Sequence, residues 1–191
     1  MTGDSTMRFA LGLAASLMMA APALAQDAGT TASTEIDPQA YAGIWYEIAR
    51  TPAPFQEMCA GGVTATYELV GAGTVKVTNR CDGEDGQPQG ITGEAEVVSN
   101  NFNTLNVEFS MGEQNQGVNY VVAAASDIED GKYQWAAVQS PEGPIGWILA
   151  REPQIDAETR SQAEAALTEA GIDVSQLSDT AQPPQTYQPA Q

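Results

Sequence analysis

From residue 63 to residue 151, apolar and polar side chains alternate with a period of two, in short runs broken by turn residues. Val63, Ala65, Tyr67 and Leu69 alternate with Thr64, Thr66 and Glu68; Gly71-Ala72-Gly73 makes a turn; Val75 and Val77 then alternate with Lys76 and Thr78. A period of two on both sides of a glycine turn is a hairpin signature. Folding it about Ala72 sets Cys81 opposite Val63. Four further runs follow: Ile91 to Val97, Leu105 to Met111, Val118 to Ala124, and Tyr133 to Ala137 after the tight turn Asp130-Gly131. Gly146 to Arg151 closes the series. With one more strand upstream this makes eight, joined by loops short enough for sequential antiparallel pairing. Such a set forms either a closed barrel or a sandwich. The inward phase holds Ala65, Gly93, Ala95, Ala124 and Ala137, and small inward residues favour a cavity over a filled core, although small side chains can also simply accommodate Trp135 or Phe109.

The upstream strand lies in Tyr41 to Arg50, where Gly43 and Trp45 open a run of aromatic and β-branched residues that suit a pleated backbone. Pro52 and Pro54 end it. After the last strand, Asp156 caps a helix predicted over 157–170, with Glu158 in its first turn and Gly171 at its end. Ala163, Ala166, Leu167 and Ala170 give it one narrow apolar stripe, enough to lie against the outside of a sheet. Ile172 and Val174 offer a short ninth strand.

Seven Lys and Arg stand against 25 Asp and Glu, for a formal net charge of -18. Phosphate recognition needs a basic surface, so no nucleic-acid partner is expected, and an anionic membrane face is equally unsuited. Residues 1–25 read as a signal peptide: Arg8 supplies a positive start, an apolar run follows, and Ala23-Leu24-Ala25 ends in small residues suited to cleavage. Gln26 stands at that point instead of a lipoprotein Cys, so no membrane anchor is predicted, and the protein is expected to be exported, either periplasmic or secreted. In an oxidising compartment Cys59 and Cys81 can join. Without a Cys-x-x-Cys spacing or any His, a disulfide fits them better than a reactive thiol. Residues 26–36 look like a flexible lead-in, 37–177 like one domain, and 178–191 like a disordered Pro/Gln-rich tail. The lack of His excludes a His-assisted nucleophile and a His-ligated metal. No catalytic residue, metal or cofactor is expected, and the chain reads as a binding protein, not an enzyme.

Gly43-Ile44-Trp45-Tyr46-Glu47-Ile48-Ala49-Arg50 resembles the opening signature of the lipocalins, closest to the branch of bacterial lipocalins and apolipoprotein D. Val63 to Tyr67, Trp147 to Arg151 and Gly171 to Ser175 resemble the same branch, in the same order. The resemblance implies an eight-stranded antiparallel up-and-down β-barrel, an all-β calyx with one open mouth and one C-terminal α-helix packed outside. It also implies carriage of a small hydrophobic ligand such as a fatty acid, a lysophospholipid or another lipid or pigment. Gly43, Trp45 and Arg151 match the family's structural cluster at the closed end, with the guanidinium stacked on the indole. The first strand then runs from floor to mouth, which puts Arg50 and both cysteines at the rim, where their bond fastens loop 52–62. The expected pocket lining is Val63, Ala65, Tyr67, Val77, Asn79 and Gly93, with Phe109, Met111, Tyr120, Trp135 and Ala137. No cation lies deep in that set, so the ligand is expected to be neutral, or an amphiphile whose head stays near Arg50 or Arg80. Two other readings are a lipid- or carotenoid-modifying enzyme of this fold, and a protein-interaction module using the mouth loops.

Overall fold

The computed structural model describes Met1, residues 34–109 and residues 117–183. The expected leader, most of the lead-in, Met111 and the end of the tail lie outside those residues. Every described element lies within residues 33–191, which form one compact unit.

Eight antiparallel strands close a barrel: β1 (Gly43–Arg50), β2 (Cys59–Gly71), β3 (Thr74–Gly83), β4 (Pro88–Val97), β5 (Thr104–Phe109), β6 (Tyr120–Ala125), β9 (Trp135–Ser140) and β10 (Ile145–Ala150). Each pairs with the next in that order, and β10 returns to pair with β1. A two-stranded ribbon, β7 (Ile128–Glu129) with β8 (Lys132–Tyr133), is set between β6 and β9 and turns at Asp130-Gly131, both at positive φ. The hairpin register agrees with folding about Ala72, since Tyr67 faces Val77 and Ala65 faces Asn79. Strand β6 begins later than its apolar run, because the Asn119 amide bonds both the N–H and the C=O of Val107 at 2.8 Å in place of a ladder pair.

One end of the barrel is sealed. The short helix α1 (Pro38–Tyr41), capped by Asp37, crosses that end. Trp45 beneath it is fully buried, donates from Nε1 to the Tyr41 carbonyl at 2.8 Å, and carries the Arg151 guanidinium 3.7 Å from its ring centroid. Arg151 also donates to the carbonyls of Ile44, Ala40, Tyr41 and Ala42, so one side chain meets the open carbonyls where α1 ends and β1 begins. The Gly43 Cα faces Arg151 closely enough that a Cβ would lie 3.3 Å from Nη1. The three residues of the expected cluster are therefore brought together at the floor.

Helix α2 (Ala157–Glu169) starts on Asp156, whose carboxylate accepts from the Thr159 N–H at 2.7 Å, and stops before Gly171 at φ +86°. Ala163 and Leu167 are fully buried against Ile148, Ala137, Ala150, Ile48 and Ile172 on the outer wall. The second apolar cluster is the barrel interior, from Trp45 and Tyr41 through Val75, Ala95 and Leu105 to Val122 and Val138.

Both ends of the domain reach further than the composition suggests. Ile36 is buried in the interior cluster, so the lead-in ends before it. The ninth strand is not at Ile172 and Val174, where Val174–Gln176 forms a 3-10 turn, but at β11 (Ser178–Asp179), paired with Arg50 and Ala49. The expectation of a disordered tail from Ser178 is corrected over the residues described. Thr180 N–H bonds the Ile48 carbonyl at 2.9 Å, Gly62 N–H bonds the Ala181 carbonyl at 2.7 Å, and the Gln182 amide bridges the carbonyls of Glu47 and Val63. These residues fill the gap where β1 and β2 diverge toward the mouth. A Cβ on Gly61 would lie 2.7 Å from the Ala181 carbonyl oxygen, so glycine there permits the insertion.

Candidate functional site

Inward-facing residues nearest the floor are packed: Val75, Ala95, Leu105 and Val122 are all buried. Farther toward the mouth, Ala65, Asn79, Phe109, Tyr120 and Trp147 face the same interior but are only half-buried. The interior is thus closely packed below and less fully buried above. Tyr67 and Val77 sit at the boundary and are buried. Val63 is buried at the upper end of β2 and belongs to neither apolar cluster. Gly93 does not leave free space, because the Phe109 ring occupies it: a Cβ there would lie 2.8 Å from Phe109 Cδ1 and would run into the Glu108 carbonyl.

Trp135 and Ala137 are not in this lining. Ala137 is fully buried under α2 with Ile148 and Leu167, and Trp135 packs on the same outer cluster, while Ala136 and Val138 point inward. Ala124, paired with Ala137, shares its outer face. The alternation fails here because the β7–β8 ribbon and a bend at Gln134 separate inward Tyr133 from β9, and the chain re-enters the sheet in the opposite phase. The small residues read as cavity space are what lets a helix lie close on the wall. A groove of about 650 Å³ beside Trp135, lined by Asp127, Glu129, Glu152 and Asp156, is likewise on the outside.

Two polar constellations face the interior. At the boundary of the filled region three tyrosine hydroxyls meet: Tyr67 donates to Tyr120 at 2.9 Å, and Tyr120 and Tyr41 share a bond of 2.6 Å. Burial pushes all three phenols up, Tyr67 to about 12, so the cluster is neutral at physiological pH. Toward the mouth, Glu47 is 2% exposed, and its carboxylate accepts from Arg50 Nη1 at 2.7 Å, Thr180 Oγ1 at 2.6 Å and Gln56 Nε2 at 3.0 Å. Gln56 in turn accepts from the Trp147 indole at 2.9 Å. This network ties the mouth loop, the last strand and the C-terminal segment to β1. Asn79, paired with Ala65 in the upper lumen, has a buried Oδ1 with no hydrogen-bond partner.

Arg50 therefore stands at the rim, as expected, but its guanidinium is already engaged by Glu47. Glu47 itself was readable, since it is two residues from Trp45 and so shares its inward phase. Gln56 and Thr180 carry no sequence signal, being in a loop and in a segment of disordered composition. Cys59 and Cys81 are bonded, with Cα atoms 5.5 Å apart, across the mouth end of the β2–β3 hairpin. Both cysteines of the chain are thus in one disulfide. Among the described residues no group of His, Cys, Asp and Glu is arranged to hold a metal ion.

Comparison with known proteins agrees with this architecture. The family model described as a lipocalin-like domain matches residues 36–182. The chain is 33% identical over 176 residues to the outer membrane lipoprotein Blc of Escherichia coli, covering 91% of this chain and 95% of that one. It is 29% identical over 153 residues to mouse apolipoprotein D, covering 76% and 77%. Among solved structures, insecticyanin from the tobacco hornworm Manduca sexta superposes with a TM-score of 0.58 at 21% identity, covering 81% of this chain and 88% of that one.

Proposed function

The chain belongs to the lipocalin family, and on that premise we propose that it is an exported protein that carries or stores a small neutral hydrophobic ligand in the upper half of its barrel. One observation carries the choice of a neutral ligand. The polar groups in the less fully buried upper interior are neutral phenols and an amide, and Arg50, the cation there among the described residues, is paired with Glu47, while Arg151 is held at the floor. A ligand carboxylate would have to displace Glu47 from Arg50 or lie buried and unpaired, and both are costly. At the rim Glu57, Glu84, Asp85 and Glu142 are exposed, and the other cation expected there, Arg80, stands on β3 in the outward phase, opposite to Val77 and Asn79. The apolar walls at Val77, Phe109 and Trp147 suit a hydrocarbon body. The expected leader and the oxidised cysteine pair support export. With both thiols bonded and no His in the chain, thiol- or imidazole-based catalysis on a bound lipid has no residue to carry it.

The interaction-module reading retains one observation in its favour. Phe55 and Met58, on the mouth loop, are 59% and 56% exposed. Native mass spectrometry of the protein from its own host, followed by organic extraction, separates the two. Carriage predicts a bound apolar molecule and quenching of Trp147 fluorescence when an extracted ligand is returned. An empty barrel that no lipid quenches, with a protein partner recovered instead, would establish the interaction reading. Arg50→Ala tests the charge argument: a fatty acid that loses affinity in this variant while a long-chain alcohol does not would show that the rim cation recognises a carboxylate after all.

A further inference from the structure

The tyrosine cluster holds one hydrogen-bond donor more than it can use. Each phenol carries one O–H. Tyr67 gives its proton to Tyr120, and the Tyr41–Tyr120 bond takes one more, whichever of the two donates. Three protons serve two bonds, so one O–H, on Tyr120 or on Tyr41, has no acceptor among the described residues. Tyr41 and Tyr67 are 3% and 5% exposed, whereas Tyr120 is half-buried. Ring contacts hold the three in place: Tyr41 lies 5.4 Å from Tyr67 and 4.9 Å from Trp45, and Tyr67 lies 5.9 Å from Tyr120. The surplus donor is therefore fixed in position and carries the desolvation cost of an unpaired buried group.

We propose that this O–H sets ligand specificity, by taking the carbonyl or ether oxygen at the buried end of an otherwise apolar, uncharged molecule. The inference rests on the carrier reading of the barrel. A carbonyl oxygen only accepts, so it completes the cluster and leaves nothing over. A hydroxyl in the same place would accept the proton and bring another without a partner. A carboxylate would bring a charge with no free cation to meet it. Asn79 Oδ1 is the converse, an acceptor without a donor, one inward position nearer the mouth than Val77. A ligand hydroxyl is accommodated there, on the flank and not at the buried end.

The test uses the full-length protein and displacement of an uncharged fluorophore, 1-aminoanthracene, by undecan-2-one, undecane, undecan-1-ol and undecanoate. The ketone should displace the dye about five- to tenfold more tightly than the alkane, one hydrogen bond's worth. It should also outcompete the alcohol and the carboxylate. With a ¹³C-labelled ketone, the bound carbonyl stretch should fall below its frequency in hexane. The triple variant Tyr41→Phe, Tyr67→Phe, Tyr120→Phe removes the whole cluster while keeping its shape, a change that is nearly neutral for folding. There the carbonyl is buried without a partner, so the ketone should lose its advantage and bind more weakly than the alkane, the stretch should return to its hexane value and alkane affinity should hold. Single replacements are uninformative, because removing either end of the chain of hydroxyls still leaves one donor over. Equal binding of ketone and alkane to the native protein with an unshifted stretch would overturn the proposal and leave carriage standing, as would a shifted stretch that survives in the triple variant. Failure of the dye and of all four probes to bind would overturn carriage and this inference with it. If the triple variant does not fold, the stretch in the native protein decides.

Discussion

Alkaline pH should loosen this protein through its tyrosine floor, and by a calculable amount. Burial raises the folded-state pKa of Tyr41, Tyr67 and Tyr120 above the ordinary value of 10, Tyr67 to about 12. A raised acid binds its proton more tightly when folded, so above pH 10 the unfolded chain holds fewer protons and stability falls as pH rises. Below pH 10 the contribution is constant; above it each phenol loses about 1.4 kcal/mol per pH unit until its folded pKa is reached. At pH 11 Tyr67 alone costs about 1.4 kcal/mol and by pH 12 about 2 kcal/mol, and Tyr41 and Tyr120 add to the loss in the same direction. That is a large share of a typical stability of about 5–15 kcal/mol. Urea denaturation at pH 8 and pH 11 measures it, with the triple Tyr→Phe variant as the control. The native protein should lose at least about 1 kcal/mol more than the variant between the two pH values. Equal losses would refute the reasoning, since they would mean that the phenols ionise in the folded state as they do in water.

Three further outcomes are expected. Glu47→Ala strands Arg50, Gln56 and Thr180 together and should cost about 3–5 kcal/mol in urea denaturation, as for a broken buried pair; a loss under about 1 kcal/mol would mean the network is solvated. Ending the chain after Leu177 removes the acceptor of Gly62 N–H and the Thr180 and Gln182 bonds to β1 and β2. It should speed amide exchange at Gly62 and lower stability by about 2 kcal/mol or more, whereas unchanged exchange would place that segment outside the cooperative fold. Gly93→Ala forces a Cβ against Phe109 and the Glu108 carbonyl, which should cost about 1–3 kcal/mol in thermal unfolding; a neutral result would mean the Phe109 ring is free to move.

The barrel was legible because its evidence is periodic and local. Alternation from Val63 to Val77 gives the β2–β3 register, the disulfide partners and the inward row without any tertiary knowledge. Trp45 and Arg151, although far apart in sequence, were legible through family resemblance. What failed was parity across an interruption. The alternation of Tyr133, Trp135 and Ala137 is continuous in the sequence, but a single bend at Gln134 inverts the phase and sends Trp135 and Ala137 under the helix. A period-two argument holds only within an unbroken strand. It also cannot distinguish an alanine that leaves space for a ligand from one that leaves space for a helix.

The polar contents of the barrel were the less legible part, and they bear most on function. Composition marked residues after Ser178 as disordered because they are polar and proline-rich. Yet polarity is what their position requires. Where β1 and β2 diverge, backbone groups face a buried gap, and only a segment with its own donors and acceptors can fill it without leaving them unpaired. The same residues bring Thr180 to Glu47, and Glu47 is what engages Arg50. A segment of mostly polar residues thus helps decide whether the mouth presents a free cation. With Arg50 engaged by Glu47, Arg151 held at the floor by backbone carbonyls and the phenols protonated, the described interior offers a ligand no free charge. Selection by such an interior works through apolar fit and one surplus donor, which favours a neutral molecule with an oxygen at its buried end over a fatty acid.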